Sequence, residues 1–546
     1  MLCLVACLAV EVAPPPRPVR QPLPLTGLLE SVYVPDLCLV RYPVATRSAE
    51  CQRYCDQGLG YFYSYVWMEA ARCFETALRH DPDCAFAWLG LYRAMDKWGK
   101  GGTATPGSFL AVAGAAWQPR VPDRFAKSPK DYALDMARKL MPKAGHREQL
   151  LIRAKLQERG MWPGVGPDDR RKEAQATLDE LLTLYEDDEE GWFARAQLGN
   201  GTNGPAPFYK ALLKVNPVHP GANHELVHFF ENIKRPALGW PYAEGYMKSS
   251  PGLPHAFHMQ AHLAMRVGKW KHTTDWSSRA AALQMEYHKV LGVKPADDHQ
   301  FFHHLETLTR SLVHDGRFAE ARALKAKAEG DYQYHFRPEW FRMAVATSDW
   351  AEARKLADHY AKSDKANGAY HTAVIALERG DIPAATAAVD VLRQGQQSKK
   401  GNRSQELRLW EVQGRLMCRT GQGEGGLRLL KRTVDKTKDD YNHHSWGGGA
   451  YYMEQWGAAA LDAGRAADAE EAFQEALAHD AGSVRGALGM WAVCTRLGRT
   501  DEASRFLTLA ERCWAKADPR DFYRLRDDYV RRAANIPTAA VAAAGE

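Results

Sequence analysis

The chain of 546 residues has no run of 18 or more apolar side chains, the length that a membrane-crossing helix needs, so no transmembrane helix is expected. Charge of one sign is not in excess: 72 Lys and Arg stand against 66 Asp and Glu, a net of +6. The two signs are interleaved and form no basic stripe, which argues against a nucleic-acid partner. The GxxxxGK[ST] phosphate loop and the GxSxG nucleophile elbow are both absent, which removes two common routes to catalysis. Cysteine occurs ten times, seven of them before residue 85, yet no CxxC pair is present. A disulfide framework is not expected in a chain this large. Cys51 and Cys55, one helical turn apart, and Cys73 and Cys84 after them read as small buried residues of a helical core. Alternating apolar and polar stretches are also lacking, so strands are not expected.

What is present is helical periodicity from about residue 46 onward, punctuated by Gly and Pro. Before it, residues 1–45 read as an apolar leader and a proline-rich tether, with six prolines in 13–24. Met1 to Val10 is apolar but lacks the basic start of a secretory signal. Leu4-Val5-Ala6-Cys7 looks like a lipoprotein cleavage box whose apolar stretch is too short unless the true start lies upstream. The expected compartment is the cytoplasm, or the cell exterior with a lipid anchor in that second case.

The helices repeat with the period and the small/large pattern of tetratricopeptide (TPR) hairpins. From Cys51 the chain supplies Tyr54, Gly58, Tyr61, Ala70, Phe74, Ala77 and Pro82, and Trp88 opens the next unit. Near the other end stand Gly457, Gly464, Ala469, Phe473 and Ala476. Gly498 and Ala503 follow Gly464 and Ala469 by one full period, with Ala510 beyond. A glycine followed five residues later by a small residue recurs between them, at Gly316/Ala321, Gly380/Ala385 and Gly421/Gly426, with Ser348/Ala353 midway and Trp410 and Gly414 opening a further unit. Small residues let two helices approach, and the large ones fill the space around them. The fold expected is all-α, a right-handed TPR-type α-solenoid of roughly ten or more hairpins. Its segments are read as N-terminal TPR units at 46–98, an irregular insertion at 99–130, helical repeats at 131–205, and His-rich TPR units at 206–335. Degenerate units at 336–435, C-terminal units at 436–535 and a disordered tail at 536–546 complete the chain.

Twelve of the 20 histidines fall between His219 and His314. His224 and His228 are four residues apart, as are His258 and His262, and the second pair stands one full TPR period after the first, as Pro251 does after Pro217. Each pair therefore shares a face of the first helix of its unit, and four imidazoles are expected to converge. In the next unit His303 shares a face with Glu306, which lies as far beyond His258 as Gly316 lies beyond Gly268; His299 is four before His303. Imidazoles with a carboxylate suit Zn, Fe, Mn or Cu. The candidate ligands are His224, His228, His258, His262, His303 and Glu306, with Asn223, Glu225, Glu231, Asn232, Asp298, His219 and His255 nearby as outer partners. The same imidazoles would also serve as a structural ladder or as a polar lining for an acidic peptide. His224-Glu225-Leu226-Val227-His228 is a literal HExxH, but Glu231 and Lys234 replace the Gly and His of the metzincin continuation. Glu244 is the only carboxylate placed to complete a gluzincin set, and the His pair recurs in the next repeat without the Glu, so a protease is not expected. The adjacent pairs His303-His304 and His443-His444 read as surface or capping residues.

Several stretches together resemble a bacterial family of long TPR proteins: Glu50 to Gly90, Pro142 to Glu148, Asn216 to Lys269 with HPGANHELVH and GLPHAFHMQAH, and Gly457 to Asp518. The resemblance covers most of the chain after residue 35. It implies a TPR fold, in many members exported, and places His219, His224, His228, His255, His258, His262 and His303 in the family's pattern. The chain departs from that pattern at Glu306, where the family has His, and at Glu225, where an aromatic is usual. The function expected is a scaffold that binds a protein or peptide partner on the concave face of the solenoid rather than an enzyme, with a metal-binding protein or metalloenzyme using the paired HxxxH helices as the alternative.

Overall fold

The computed structural model describes residues 20–98, 128–298, 300–398, 402–441 and 448–537. The apolar leader, most of the 99–130 insertion, His299, His443, His444 and the tail from 538 lie outside these. Among the described residues every extended regular element is a helix, and the lone extended contact is an isolated bridge between Pro22 and Leu29. No helix among them is long and apolar enough to cross a membrane. Two compact units are formed, one from the described residues up to 191 apart from 36–39, the other from 36–39 and residue 192 onward. The break falls inside the segment read as helical repeats at 131–205.

The hairpins follow from the small positions. A Cβ on Gly58 would stand 3.0 Å from the Phe74 ring, and one on Gly90 2.4 Å from it. The ring is thus clasped between the first helix of its own hairpin, Ala49–Tyr63, and the next helix, Ala85–Trp98, while itself carried by Trp67–His80. In the second unit Phe473, on Ala466–His479, is held in the same way between Gly457 and Gly489, each 2.4 Å from it by the same measure. Both rings are 0–1% exposed. Side chains at the glycine positions would overpack the contact.

The recurring Gly-to-small step marks the turn inside several hairpins. Gly316, Gly380, Gly421, Gly464 and Gly498 all have φ between 69° and 81°, the left-handed conformation that closes a helix. Ser348, in the same place, takes φ 57° despite its Cβ.

The tether expected over residues 1–45 differs in its described part. Leu23 and Leu25 are 1% and 3% exposed. The Glu75 carboxylate accepts from the backbone N–H groups of Leu25 and Thr26 and from the Thr26 hydroxyl. Farther along, Ser31 N–H donates to Thr76 Oγ1 at 2.9 Å and Val34 N–H to Gln57 Oε1 at 2.8 Å. Residues 21–34 form a strap on the first hairpin because two leucines and buried side-chain acceptors outweigh the extended preference of the prolines.

Candidate functional site

Three helices of the second unit carry the histidines: Pro220–Asn232, Pro254–Arg266 and Phe301–His314, each paired with the helix that follows it, Trp240–Ser249, Trp270–Leu291 and Phe318–Gly330. Pro220 and Pro254 occupy the first helical turn, where a missing N–H is tolerated. His219 is the N-cap of the first helix, its Nδ1 accepting from Ala222 N–H at 3.1 Å. Asn223 donates to the carbonyls of Pro217 and His219. Both side chains secure the helix start.

The imidazoles gather in two groups of three, with the ring nitrogens of each group within 4.8 Å of one another. The first is His224, His228 and His255, and the second is His258, His262 and His303. The four-imidazole convergence of the two HxxxH pairs is not what forms. Each pair instead meets the histidine lying one turn earlier on the next first helix: His255 stands three residues before His258, and His303 three before Glu306. The roles expected of His255 as an outer partner and of Glu306 as a candidate ligand change accordingly. His255 stands inside the first triad, while Glu306 is drawn to Arg310 at 3.1 Å. Arg310 occupies the position equivalent to His262 and also pairs with Glu339 at 2.9 Å, so the third repeat carries an ion pair where the first two carry HxxxH.

Within the first triad His224 Nε2 lies 3.0 Å from His228 Nε2 and 3.0 Å from His255 Nε2. A neutral imidazole nitrogen carries one N–H or one in-plane lone pair, so one atom does not serve two such contacts as full hydrogen bonds. The His224 ring stacks on Tyr246, centroids 4.8 Å apart, over a floor of Val227, Ala243, Ala256, Met259 and Leu263. In the second triad the His258 centroid is 4.1 Å from that of His262 and 4.6 Å from that of His303. Both His258 nitrogens are buried and have no hydrogen-bond partner, with the residue 1% exposed.

A carboxylate stands between the triads. Glu231 faces His228 Nδ1 at 3.3 Å and His262 Nδ1 at 3.8 Å and also pairs with Arg266. It faces one ring of each group through the nitrogen on the ring's far side, the side from which outer carboxylates act on metal-bound histidines. Of the other proposed outer groups, Asp298 pairs with His288 at 2.8 Å, away from the triads, while Glu225 acts electrostatically on His228 of the first triad and on Tyr209. Glu244 accepts from Trp240 Nε1 at 2.9 Å on the exposed side, and the third member beside the HExxH pair is His255.

His304, expected at the surface or as a cap, is buried instead. It is 0% exposed, with its ring centroid 4.2 Å from that of His258 and 6.0 Å from that of His255. Phe301 and Leu305, both buried, fix the face of the helix that turns inward. Periodicity around those two residues is the signal that the adjacent-pair reading of His303-His304 overlooks.

Burial keeps His228, His255, His258 and His262 neutral. It pushes His262 down to about 3 and lowers His228. Burial again, followed by repulsion from the neighbouring imidazoles, lowers His255 and His258 well below the usual histidine range. His219 is brought to about 3 by burial. Neutral imidazole is the form that ligates metal.

A second concavity in the same unit, of about 770 Å³, is lined by Arg342, Arg408, Tyr370, Tyr451, Tyr452 and Phe341 among others. Its wall is set by Glu411, which is 0% exposed and accepts from Tyr370 Oη at 2.8 Å and Tyr451 Oη at 2.9 Å. The Arg408 guanidinium lies over Tyr370 at 5.1 Å and that of Arg342 over Tyr451 at 5.8 Å. No sequence motif announced this groove, because its residues come from separate repeats.

Comparison with known proteins bears on the fold. No curated protein matches the chain in sequence. Among solved structures the chain is similar to yeast Tom70, at 10% identity and TM-score 0.29 over 76% of this chain and 89% of that one. It is similar to the P58(IPK) TPR domain, at 12% identity and TM-score 0.24 over 85% and 99%. It is also similar to the APC/C hetero-tetramer Cut9-Hcn1, at 12% identity and TM-score 0.28 over 89% and 77%. At such TM-scores the superpositions are too loose to carry a functional comparison. Residues 460–512 match the tetratricopeptide repeat family model, a stretch that includes Phe473 and Gly489, and the described residues form an all-α fold that contains TPR repeat sequence there.

Proposed function

We propose that this protein is an interaction scaffold whose repeats bind a peptide segment of a partner protein in the groove of the second unit. The observation that carries the reading is the wall of tyrosines and guanidiniums held by Glu411. Tyr370 and Tyr451 are fixed by a buried carboxylate, so little rotamer freedom remains to be lost on binding. Arg342 and Arg408 lie over rings rather than against carboxylates, which suits a segment bearing acidic side chains. Crosslinking of the tagged protein in cells, against an Arg342→Glu/Arg408→Glu variant of equal abundance, tests it. The expected result is a partner crosslinked to the wild type through the groove and lost from the variant. Equal recovery from both would reject the groove.

A second reading, a bound divalent transition metal, is favoured by one observation: His258 is buried with two unpartnered nitrogens inside a group of three imidazoles. A metal ion in that group would accept a lone pair from each of its rings, and one in the first triad would remove the conflict at His224 Nε2. Zn, Fe, Mn and Cu all accept such a set, and three protein ligands leave a coordination position open for water or oxygen. The test is metal content by mass spectrometry of protein purified without a His tag, beside a His224→Ala/His258→Ala variant. Near-stoichiometric metal in the wild type alone is expected. Its absence from both, after reconstitution, would reject this reading and leave the scaffold.

A further inference from the structure

Three thiols converge in the first unit, apart from the histidines. Cys51 and Cys55, one turn apart on Ala49–Tyr63, meet Cys84, the residue just before Ala85–Trp98. Their sulfurs lie within 4.8 Å of one another and each residue is 0% exposed. Sequence spacing suggests only that Cys51 and Cys55 share a face. The third member arrives because the second helix of the hairpin returns the chain to the start of the first.

Cys73, nearby in sequence, shows what a cysteine in a merely structural role does here. It points to protein partners, with Ser31 Oγ at 3.2 Å and Gln57 Nε2 at 3.3 Å. Cys51, Cys55 and Cys84 point to each other. Two of the three sit where helices begin: the Cys51 N–H caps onto Ser48 Oγ at 3.2 Å, and Cys84 precedes the first turn of its helix. The dipoles of helix starts stabilise thiolate.

We propose that Cys51, Cys55 and Cys84 form a three-sulfur site for a soft, three-coordinate metal ion, Cu(I). Thiolates select soft ions. Zn(II) in a structural site takes four ligands, and among the described residues no fourth His, Cys, Asp or Glu joins the group. The site is fully buried, so bulk water does not supply the missing position. Cu(I) forms three Cu–S bonds as the three S–H bonds break and their protons leave to solvent. It is bound in the oxidation state in which it arrives, so no electron is transferred.

The test is anaerobic titration of the metal-free full chain with Cu(I) against a Cu(I) chelator, with the coordination shell read by X-ray absorption. One Cu(I) with three sulfur neighbours is expected, and sulfur is distinguished there from the nitrogen of the imidazole triads. Cys51→Ser and Cys84→Ser should each weaken binding by more than the ~10–100-fold that outer-shell changes cost, while Cys73→Ser leaves it unchanged. Helical circular dichroism checks that each variant folds; if a cysteine variant does not, the sulfur count on the wild type decides. The proposal is overturned by a nitrogen-only or two-sulfur shell, by unchanged affinity in folded Cys51→Ser and Cys84→Ser, or by loss of all Cu(I) to the chelator. Retention of Zn(II) or arsenite in preference to Cu(I) would overturn the choice of ion.

Discussion

Replacing His258 by Leu should change stability in opposite directions with and without metal. In chelator, the wild type keeps two buried imidazole nitrogens with no hydrogen-bond partner, and an unsatisfied buried polar group costs about 1–3 kcal/mol. Leucine has no polar atom to leave unsatisfied and fits among rings whose centroids lie 4.1 to 4.6 Å from that of His258. The chelated variant is therefore expected to be more stable than the chelated wild type by about 1–3 kcal/mol. With metal at a thousand times its dissociation constant the wild type gains about 4 kcal/mol by mass action, while the variant, lacking a ligand, gains little. The order of stabilities then reverses. Repeat proteins open locally, so the assay is hydrogen exchange of amides in Pro254–Arg266 and its neighbours Pro220–Asn232 and Phe301–His314. Slower exchange in the chelated wild type than in the chelated variant would refute the premise that His258 is unsatisfied. Identical wild-type exchange with and without metal would refute the metal reading.

Ser348→Gly should stabilise the hairpin of Arg337–Ala346 and Trp350–Ser363 by about 0.5–1 kcal/mol, since a left-handed conformation at φ 57° is strained for a residue with a Cβ and free for glycine, less the extra chain entropy glycine loses; local hydrogen exchange measures it. Gly457→Ala should destabilise the C-terminal repeats by about 1–3 kcal/mol, because the new methyl would lie 2.4 Å from Phe473; adding Phe473→Leu should recover part of the loss, and a melt of both variants tests the clasp. Acid should destabilise the histidine repeats. The buried rings have folded pKa values below the unfolded 6.5, with His219 and His262 near 3, so the unfolded chain takes up protons first. Their contribution is intact above pH 6.5 and falls by about 1.4 kcal/mol per pH unit for each such histidine as pH drops toward its folded value. A urea midpoint that stays flat between pH 7 and 4.5 would contradict the neutral, buried assignment.

The repeat was legible because its signature is steric. Gly58 and Gly90 stand at equal spacing before and after Phe74, as Gly457 and Gly489 do about Phe473, and both patterns follow from how closely two helices must approach a ring. The left-handed turn was legible as a glycine with a small residue five places on, even where Ser348 stands in for the glycine. The histidine triads were legible only as equivalence. The repeat period states that His224 and His258 occupy like positions; it does not state which histidine His224 touches. That contact depends on the stagger between successive first helices, which places His255 and His303 against the preceding HxxxH pairs and leaves Glu306, the true counterpart of His258, to Arg310. Cys84, Glu411 and Tyr451 were out of reach for a related reason: each acts on residues from another hairpin, and the distance along the chain carries no trace of the distance in space. The clasp and the triads thus depend on different information. Substituting Gly457 tests whether helices approach closely, and substituting His258 tests how they are staggered. A variant that shifts the stagger while sparing the clasp should separate histidine chemistry from fold.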